Sequence, residues 1–287
     1  MSTVHIIGPG FVGKSIADAV FLNTDYKVIL HGRDHFDLTH ITETDFLDLR
    51  SEDVVVFSAA KVPARGLDDI IVNLQMVKGF MKLIENQEFS YLLNISSDAV
   101  YPDQNMPIDE YSLTAPISYH GLMHIAREFI LSDVYQDKLG HLRSTLIYGF
   151  GDPHHGYGPN QFIQKALNGQ TISVFGHGEE LRDHIYIKDV GYLATQMILN
   201  KVLGPVNAVT GETVSFKEIA QIICELVPSA SIKYLERSTP IPHNGFRSFN
   251  ASLAKALCPE LFSFASIRDG LTRVFEQIGE LNDESGN

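Results

Sequence analysis

The chain has 287 residues, 44% of them hydrophobic, and a formal net charge of −13. That length and apolar content suffice for the core of one large domain or of two coupled ones. The acidic surplus argues against non-specific nucleic-acid binding, which needs a basic surface. The two cysteines, Cys224 and Cys258, make neither a disulfide framework nor a zinc pattern. No apolar run is long enough to span a bilayer and no basic leader precedes the first predicted strand, so we expect no membrane contact and a cytoplasmic location.

The first half of the chain alternates short apolar runs with helical patterns. The predicted strands are Val4–Ile7, Lys27–His31, Val54–Phe57, Tyr91–Ile95 and Leu142–Ile147, and the predicted helices are Phe11–Leu22, Leu67–Glu85 and Ile117–Tyr135. This alternation predicts an α/β fold with a doubly wound parallel sheet, covered by helices on both faces. In such a sheet ligands bind beyond the carboxyl ends of the strands.

The pattern of predicted strands and helices changes after about residue 150. The predicted helices there are Asn160–Asn168, Val190–Asn200, Phe216–Leu226 and Ser266–Leu281, and the predicted strands are Ile172–Phe175, His184–Ile187, Val206–Ala208 and Ile232–Leu235. We therefore expect residues 1–150 to form the sheet domain, with residues 184–208 returning to it. Residues 151–183 and 209–287 are expected to form a smaller α+β region.

Glycines 8, 10 and 13 stand between the first predicted strand and the first predicted helix. Gly8 allows a tight turn, Gly10 leaves room for a pyrophosphate beside the backbone, and Gly13 allows the helix to pack closely on the strand. The helix N-terminus offers N–H groups and a positive dipole end to phosphates. The pattern therefore predicts a dinucleotide-binding turn.

Several further motifs follow in order. They are Gly-Phe-Val-Gly (10–13), Ser-Ala-Ala (58–60), Ile-Ser-Ser-Asp-Ala-Val-Tyr-Pro (95–102), Arg-Ser-Thr-Leu-Ile-Tyr-Gly (143–149) and Arg-Asp-His-Ile-Tyr-Ile-Lys-Asp (182–189). Together they resemble the extended short-chain dehydrogenase/reductase family, in particular its nucleotide-sugar epimerases, dehydratases and reductases. The resemblance runs from about Val4 to Gly270, although Ile7 stands where the family usually has its first glycine. It implies a Rossmann-type domain followed by a substrate-binding region, NAD or NADP as cofactor and a nucleotide sugar as substrate.

The resemblance implies a set of cofactor-binding residues: Gly8, Gly10, Phe11, Val12, Gly13, Arg33, Asp37, Ala59, Ala60, Asn73, Tyr119 and Tyr148. An NAD site usually has an acidic residue after the second strand, which holds the ribose 2′-hydroxyl. Here His31-Gly32-Arg33 follows that strand. Because Arg33 suits a 2′-phosphate, the sequence slightly favours NADP. Asp37 matches a position that holds adenine, or it caps a turn.

The catalytic groups implied by the resemblance are a Ser or Thr hydroxyl, a tyrosine and a lysine four residues after the tyrosine. Ser97 and Tyr119 match the first two, but Met123 occupies the lysine position. A thioether carries no charge and cannot lower a phenol's pKa. Arg127 shares a helix face with both residues and is the first candidate for a replacement cation, ahead of His124.

Two alternatives to a replacement cation stay open. In one, Asp98 or the loop histidines 154 and 155 transfer the proton. In the other, the protein binds cofactor or nucleotide sugar without turnover, as a regulatory or binding protein. Ser97-Asp98-Ala99 lacks the Asp-Glu pair of the family's 4,6-dehydratases, so an epimerase or a reductase is favoured over a dehydratase.

The substrate-binding candidates are Lys61, Asn160, Val174, Phe175, Arg182 and Arg247. The two arginines suit bidentate contacts with a diphosphate. The paired histidines near residue 154 have no Cys or His partner at ligand spacing, so we predict no metal site. The helices Leu67–Glu85 and Ile117–Tyr135 carry apolar residues beyond one face, which predicts a homodimer through these two helices.

Overall fold

A computed structural model describes residues 2–154, 156–260 and 264–285 of the chain, with side chains as far as residue 280. The strands are β1 (Thr3–Ile7), β2 (Lys27–His31), β3 (Val54–Phe57), β4 (Tyr91–Ser97), β5 (Leu139–Ser144), β6 (Leu146–Tyr148), β7 (Ile172–Phe175), β8 (Leu181–Arg182), β9 (His184–Tyr186), β10 (Gly204–Ala208), β11 (Val214–Ser215), β12 (Ile232–Leu235) and β13 (Phe246–Arg247). The helices are α1 (Phe11–Asn23), α2 (Leu67–Leu83), α3 (Tyr119–Tyr135), α4 (Pro159–Leu167), α5 (Ile187–Asn200), α6 (Phe216–Leu226), α7 (Ser252–Leu257) and α8 (Ile267–Ser285).

The central sheet confirms the predicted α/β class. Its six strands are parallel throughout and lie in the order β10-β5-β4-β3-β1-β2. Every residue of β3 is fully buried, because both faces of the sheet are covered. Helices α1 and α5 pack on one face with Ile16 and Val190, and α2 and α3 pack on the other with Phe80 and Leu131. The carboxyl ends of the strands therefore meet at one open edge of the sheet.

The predicted strand Leu142–Ile147 is two strands. It breaks at Thr145, whose backbone N–H donates to Ala208 O at 3.2 Å and whose hydroxyl donates to Asp183 O at 3.1 Å. Strand β6 then leaves the central sheet and pairs with β9. Strand β10 lies beside β5, so part of the second half of the chain returns to the main sheet.

Most of the remaining second half forms a separate apolar cluster, while Ala254 of α7 and Phe264 pack into the core of the central sheet. Strands β7 and β12 make one small sheet, and β8, β11 and β13 make another. Helices α4, α6 and α8 pack around Phe162, Ile223 and Leu271. Among the helices of the described ranges, none combines the length and the apolarity that crossing a bilayer requires.

A chain of polar side chains is buried between α3 and strands β4 and β5. Arg127 Nε donates to Asn94 Oδ1 at 2.5 Å, and the Asn94 amide lies 3.0 Å from His141 Nδ1. The other nitrogen of His141 lies 3.0 Å from the hydroxyl of Ser132. This set of contacts, together with a buried Glu128–Arg143 ion pair at 2.6 Å, fixes the rotation of α3 against the sheet.

Candidate active site

A cleft of about 760 Å³ lies at the carboxyl edge of the central sheet. Gly10 and Phe11 line it at the first turn, Ser97 and Asp98 line it at the end of β4, and Arg182 lines it from the second half. This is the edge where open parallel sheets bind their ligands. One cleft therefore reaches from the glycine turn to the second half of the chain.

The glycine turn has the geometry that a dinucleotide requires. Gly8 has φ +92°, and a Cβ on it would lie 2.4 Å from the backbone of Ala59. A Cβ on Gly13 would lie 2.4 Å from Gly8 O, so α1 packs tightly on the turn. A Cβ on Gly10 would meet nothing within 4 Å, and Gly10 begins α1 without a side-chain cap. The open space at an uncapped helix N-terminus suits a pyrophosphate.

The region after β2 carries the residues expected to select the cofactor. Arg33 is 82% exposed and lies 3.1 Å from the Asp37 carboxylate. Hydrogen bonds from the Thr39 hydroxyl and N–H and from Arg33 hold the pKa of Asp37 well below its usual range. Asp37 therefore stays ionised and orders its own loop. His31, at the end of β2, stacks on His5 with ring centres 5.3 Å apart, and partial burial lowers its pKa to about 4.

Asn73 and Lys61 hold the loop between β3 and α2. The Asn73 amide oxygen accepts from Lys61 N, and its nitrogen donates to Lys61 O and Asp69 O, all within 2.9 Å. Lys61 Nζ lies 2.9 Å from Asp69. Ala60 lines the cleft, while Ala59 packs against Gly8. The structure thus gives Asn73 a loop-stabilising position beneath the expected cofactor site.

Ser97 and Asp98 stand at the start of a short 3-10 helix (Asp98–Val100) after β4. The Ser97 hydroxyl accepts from Ala99 N at 3.2 Å and caps this turn. The Asp98 carboxylate accepts from Arg247 Nε at 3.0 Å. Arg247 also donates to the carbonyls of Asp98, Tyr101 and Pro102 and to Asp103. The Arg247 guanidinium is thus bonded to the protein on every nitrogen, which does not support its expected diphosphate contact.

Helix α3 presents His120 and His124 to the cleft. Tyr119, one residue earlier, is 52% exposed and is not among the lining residues. Met123 is fully buried in an apolar cluster with Ala64 and Ile70. The predicted Tyr119–Met123 face of the helix therefore packs toward α2, about 100° around the axis from the face that borders the cleft.

Arg127 does not reach the space beside Met123, where a replacement cation was expected. Its guanidinium donates to Asn94 Oδ1, to Ala59 O at 2.9 Å and to Phe57 O, and it lies 3.7 Å from the centre of the Phe57 ring. Burial lowers its pKa to about 9. Arg127 therefore joins α3 to the end of β3 and lies outside the lining of the cleft.

The substrate-side candidates are divided between the cleft and the core. Arg182 lines the cleft, although it also donates to Glu180 Oε2 at 3.0 Å and to the carbonyls of Leu181 and Pro242. Asn160 uses its amide to bridge Gly149, Ile147 and Asp152.

The aromatic and aliphatic candidates Val174 and Phe175, and the cofactor candidate Tyr148, are not among the residues that line the cleft. Val174 and Tyr148 are fully buried, and burial raises the pKa of Tyr148. Phe175 is 39% exposed beside Tyr157, with ring centres 5.2 Å apart. Among the candidates from this half of the chain, His154, Arg182 and Arg247 border the cleft. The other loop histidine, at position 155, lies outside the described residues.

Two features of the lining were missed or ranked too low from the sequence. His120 was not singled out, and His124 was placed behind Arg127. The helical period offered a second i, i+4 pair, His120 and His124, directly beside the Tyr119–Met123 pair. The apolar side chain of Met123 was the signal that its face belongs to the core.

Comparisons with known proteins agree with this geometry. The sequence model of the NAD dependent epimerase/dehydratase family matches residues 4–209. A Methanocaldococcus jannaschii protein named "Putative UDP-glucose 4-epimerase" is 28% identical over 242 residues, which cover 75% of this chain and 79% of that protein.

Solved structures show the same fold. UDP-glucuronic acid 4-epimerase from Bacillus cereus, in complex with NAD, superposes with a TM-score of 0.80 at 19% identity over 97% of this chain and 99% of that one. An NAD-dependent NDP-hexosamine 5,6-dehydratase involved in tunicamycin biosynthesis gives a TM-score of 0.81 at 19% identity over 98% of both chains. With its parallel sheet, glycine turn and family match, the chain belongs to the NAD-dependent epimerase/dehydratase family of extended short-chain dehydrogenases/reductases.

Proposed function

We propose that this protein is an enzyme that transfers a hydride between a nicotinamide cofactor and a sugar carbon of a nucleotide-diphosphate sugar, as an epimerase or a reductase. One observation carries the proposal: a single cleft joins the glycine turn at Gly10 to Ser97 and to Arg182. A cleft of this size and position suits a bound dinucleotide with a second ligand beside it.

The position of each residue in the cleft indicates its role. The uncapped start of α1 would hold the pyrophosphate, and the bound dinucleotide would supply or accept the hydride. The Ser97 hydroxyl would orient the reacting oxygen, and the Arg182 guanidinium would attract the diphosphate of the sugar nucleotide. Ala99 follows Asp98 where a dehydratase of the family has a glutamate, so water elimination is disfavoured.

We propose NAD as the cofactor. The family is NAD-dependent, and the comparisons give no support to the preference for NADP inferred from Arg33. Arg33 lies on the surface and faces Asp37, whose negative charge would oppose a 2′-phosphate nearby. Calorimetric titration with NAD and NADP tests this choice: NADP binding more tightly than NAD would contradict it.

The function itself is tested by binding and turnover in one pair of variants. Gly10→Ala adds a methyl group in the open space of the turn and should weaken NAD binding at least tenfold while the protein stays folded. Gly66→Ala is the matched control, because Gly66 begins α2, also without a side-chain cap and with no neighbour within 4 Å. NAD affinity should be unchanged in that control.

Turnover is measured with UDP-, GDP-, CDP- and dTDP-sugars by the absorbance of the reduced cofactor and by product analysis. No NAD binding at millimolar concentration would contradict the proposed function. Binding of NAD and of a sugar nucleotide without hydride transfer would favour a binding or regulatory protein on the same fold.

We also propose that the protein is a homodimer through α2 and α3. Large apolar side chains are exposed on these helices, including Leu67 at 64%, Leu122 at 47% and Phe129 at 74%. Exposed apolar side chains that cluster on adjacent helices are typical of a subunit interface. Two copies joined by these helices would bury them in a four-helix contact. The cytoplasmic location stays a prediction from the sequence.

A further inference from the structure

We propose that His120 and His124 carry the proton chemistry of this cleft. His120 exchanges the proton of the reacting sugar hydroxyl, and His124, one helical turn further, binds a ribose hydroxyl of the cofactor. The inference rests on the proposed function, since it assigns residues to the same hydride transfer.

The rotation of α3 is the first argument. Ser118 caps the helix by accepting from Gly121 N at 3.1 Å, and Gly121 packs against Ala99 so closely that a Cβ there would lie 2.0 Å from Ala99 O. Met123 is fixed in its apolar cluster on the other side. These contacts leave the face with His120 and His124 toward the cleft, beside Ser97 and Asp98.

The unpaired polar atoms are the second argument. His124 is only 5% exposed, and its Nδ1 is buried without a hydrogen-bond partner. The Nδ1 of His120 is also buried and without a partner. Buried polar atoms are nearly always paired in folded proteins, because an unpaired one costs about 1–3 kcal/mol. Neither ring is held by the protein through Nδ1, and because Nδ1 is enclosed, Nε2 is the nitrogen of each ring that can meet a ligand in the cleft.

The two rings act as a pair. Their centres are 4.7 Å apart and their planes meet at 85°, so one ring presents its edge to the face of the other. The charge of Arg127 acts on His124, and the charge of Asp98, which accepts a hydrogen bond from Arg247, acts on His120. Burial lowers the pKa of both imidazoles, well below the ordinary value for His124, and the Asp98 carboxylate partly opposes this shift in the pKa of His120.

At neutral pH each ring is therefore an uncharged imidazole with one donor and one acceptor nitrogen. In the oxidation step, the sugar hydroxyl gives its proton to His120, and the hydrogen on the same carbon leaves as a hydride to NAD. The carbinol loses two electrons and becomes a ketone, and the hydride carries these two electrons to the cofactor. In the return step, the imidazolium of His120 gives the proton back as the ketone regains the hydride.

The test compares three single variants. His120→Asn should slow hydride transfer about 10²- to 10⁴-fold, the usual range for loss of a general base, with NAD affinity little changed. His124→Leu should weaken NAD binding roughly 2- to 12-fold, as expected for one lost hydrogen bond. His177→Gln is the control, because His177 is exposed outside the cleft.

The pH profile separates this assignment from a structural role. The rate of carbinol oxidation should rise as pH increases through the lowered pKa of His120 and level off above about 6.5, whereas a tyrosine base would rise toward pH ~10. A double variant, His120→Tyr with His124→Lys, should retain turnover and shift the rise to higher pH.

A second readout does not depend on turnover. Nitrogen-15 NMR of the imidazoles should show the signals of His120 and His124 shifting when NAD and a sugar nucleotide bind. If both ligands bind and both signals stay unchanged, the assignment is overturned but the proposed function is not. The same holds if Tyr119→Phe slows hydride transfer as much as His120→Asn does. Ligand binding without any hydride transfer would overturn the proton exchange. Failure of the native protein to bind either ligand would instead contradict the proposed function.

Discussion

Gly121→Ala tests how closely α3 must approach the end of β4. The added Cβ would lie 2.0 Å from Ala99 O, and distances below 3.0 Å essentially never occur for a real Cβ, so the start of α3 must move by at least about 1 Å. Such overpacking costs about 1–3 kcal/mol, and the better helix propensity of alanine returns at most about 1 kcal/mol. We expect a net loss of about 0–3 kcal/mol in the free energy of unfolding.

The effect on turnover should be larger than the effect on stability. A displacement of about 1 Å at a reacting group can cost about 10²-fold in rate, and His120 immediately precedes Gly121. Gly279→Ala in α8 is the matched control: a Cβ there meets nothing within 4 Å, so we expect a gain of about 0.5–1 kcal/mol. Urea unfolding and hydride-transfer rates measure both variants. A Gly121→Ala protein as stable and as active as the control would refute the packing argument.

Three further outcomes follow from buried charge, buried histidine and exposed apolar surface. Glu128→Gln removes the charge of one partner of the buried pair with Arg143 and should lower the free energy of unfolding, measured in urea, by about 3–5 kcal/mol. Asp18→Asn is the control: Asp18 belongs to an exposed pair, so the change should be less than about 1 kcal/mol. Burial lowers the pKa of His141 to about 4, so the stability that the neutral imidazole contributes is complete above pH ~6.5. As the pH falls toward 4, up to about 3 kcal/mol of the free energy of unfolding is lost. His141→Gln should make the free energy of unfolding, measured in urea, depend less on pH in this range. Phe129→Asp should convert the proposed dimer to a monomer in sedimentation, and a native protein that is already monomeric at high concentration would contradict the dimer.

Most of the architecture follows from local patterns. Strand β3 has the predicted bounds because it is buried on both faces, which leaves a continuous apolar run in the sequence. Helix α3 begins two residues later than predicted, because Ser118 is its cap rather than part of its first turn. The break at Thr145 was not predictable, since it depends on carbonyls contributed by residues 183 and 208.

The candidate site was less accessible from the sequence for two physical reasons. The position of an arginine in the sequence does not reveal whether its guanidinium binds a ligand or a backbone carbonyl. The guanidinium groups of Arg127 and Arg247 both donate to backbone carbonyls. The pairs Tyr119–Met123 and His120–His124 also have the same i, i+4 spacing, but they point in directions about 100° apart around the helix. Only the packing of Met123 against α2 decides which pair borders the cleft.

The contact between Arg127 and Ala59 joins the two halves of the candidate site mechanically. Arg127 Nη1 donates to Ala59 O, Ala59 N donates to Ile7 O at 2.9 Å, and Gly8 packs directly on Ala59. The helix that carries the histidines and the turn expected to hold the pyrophosphate therefore share one short strut. A change in the position of either element is transmitted to the other through Ala59, so the loop after β3 helps to set the distance between the acid/base group and the cofactor.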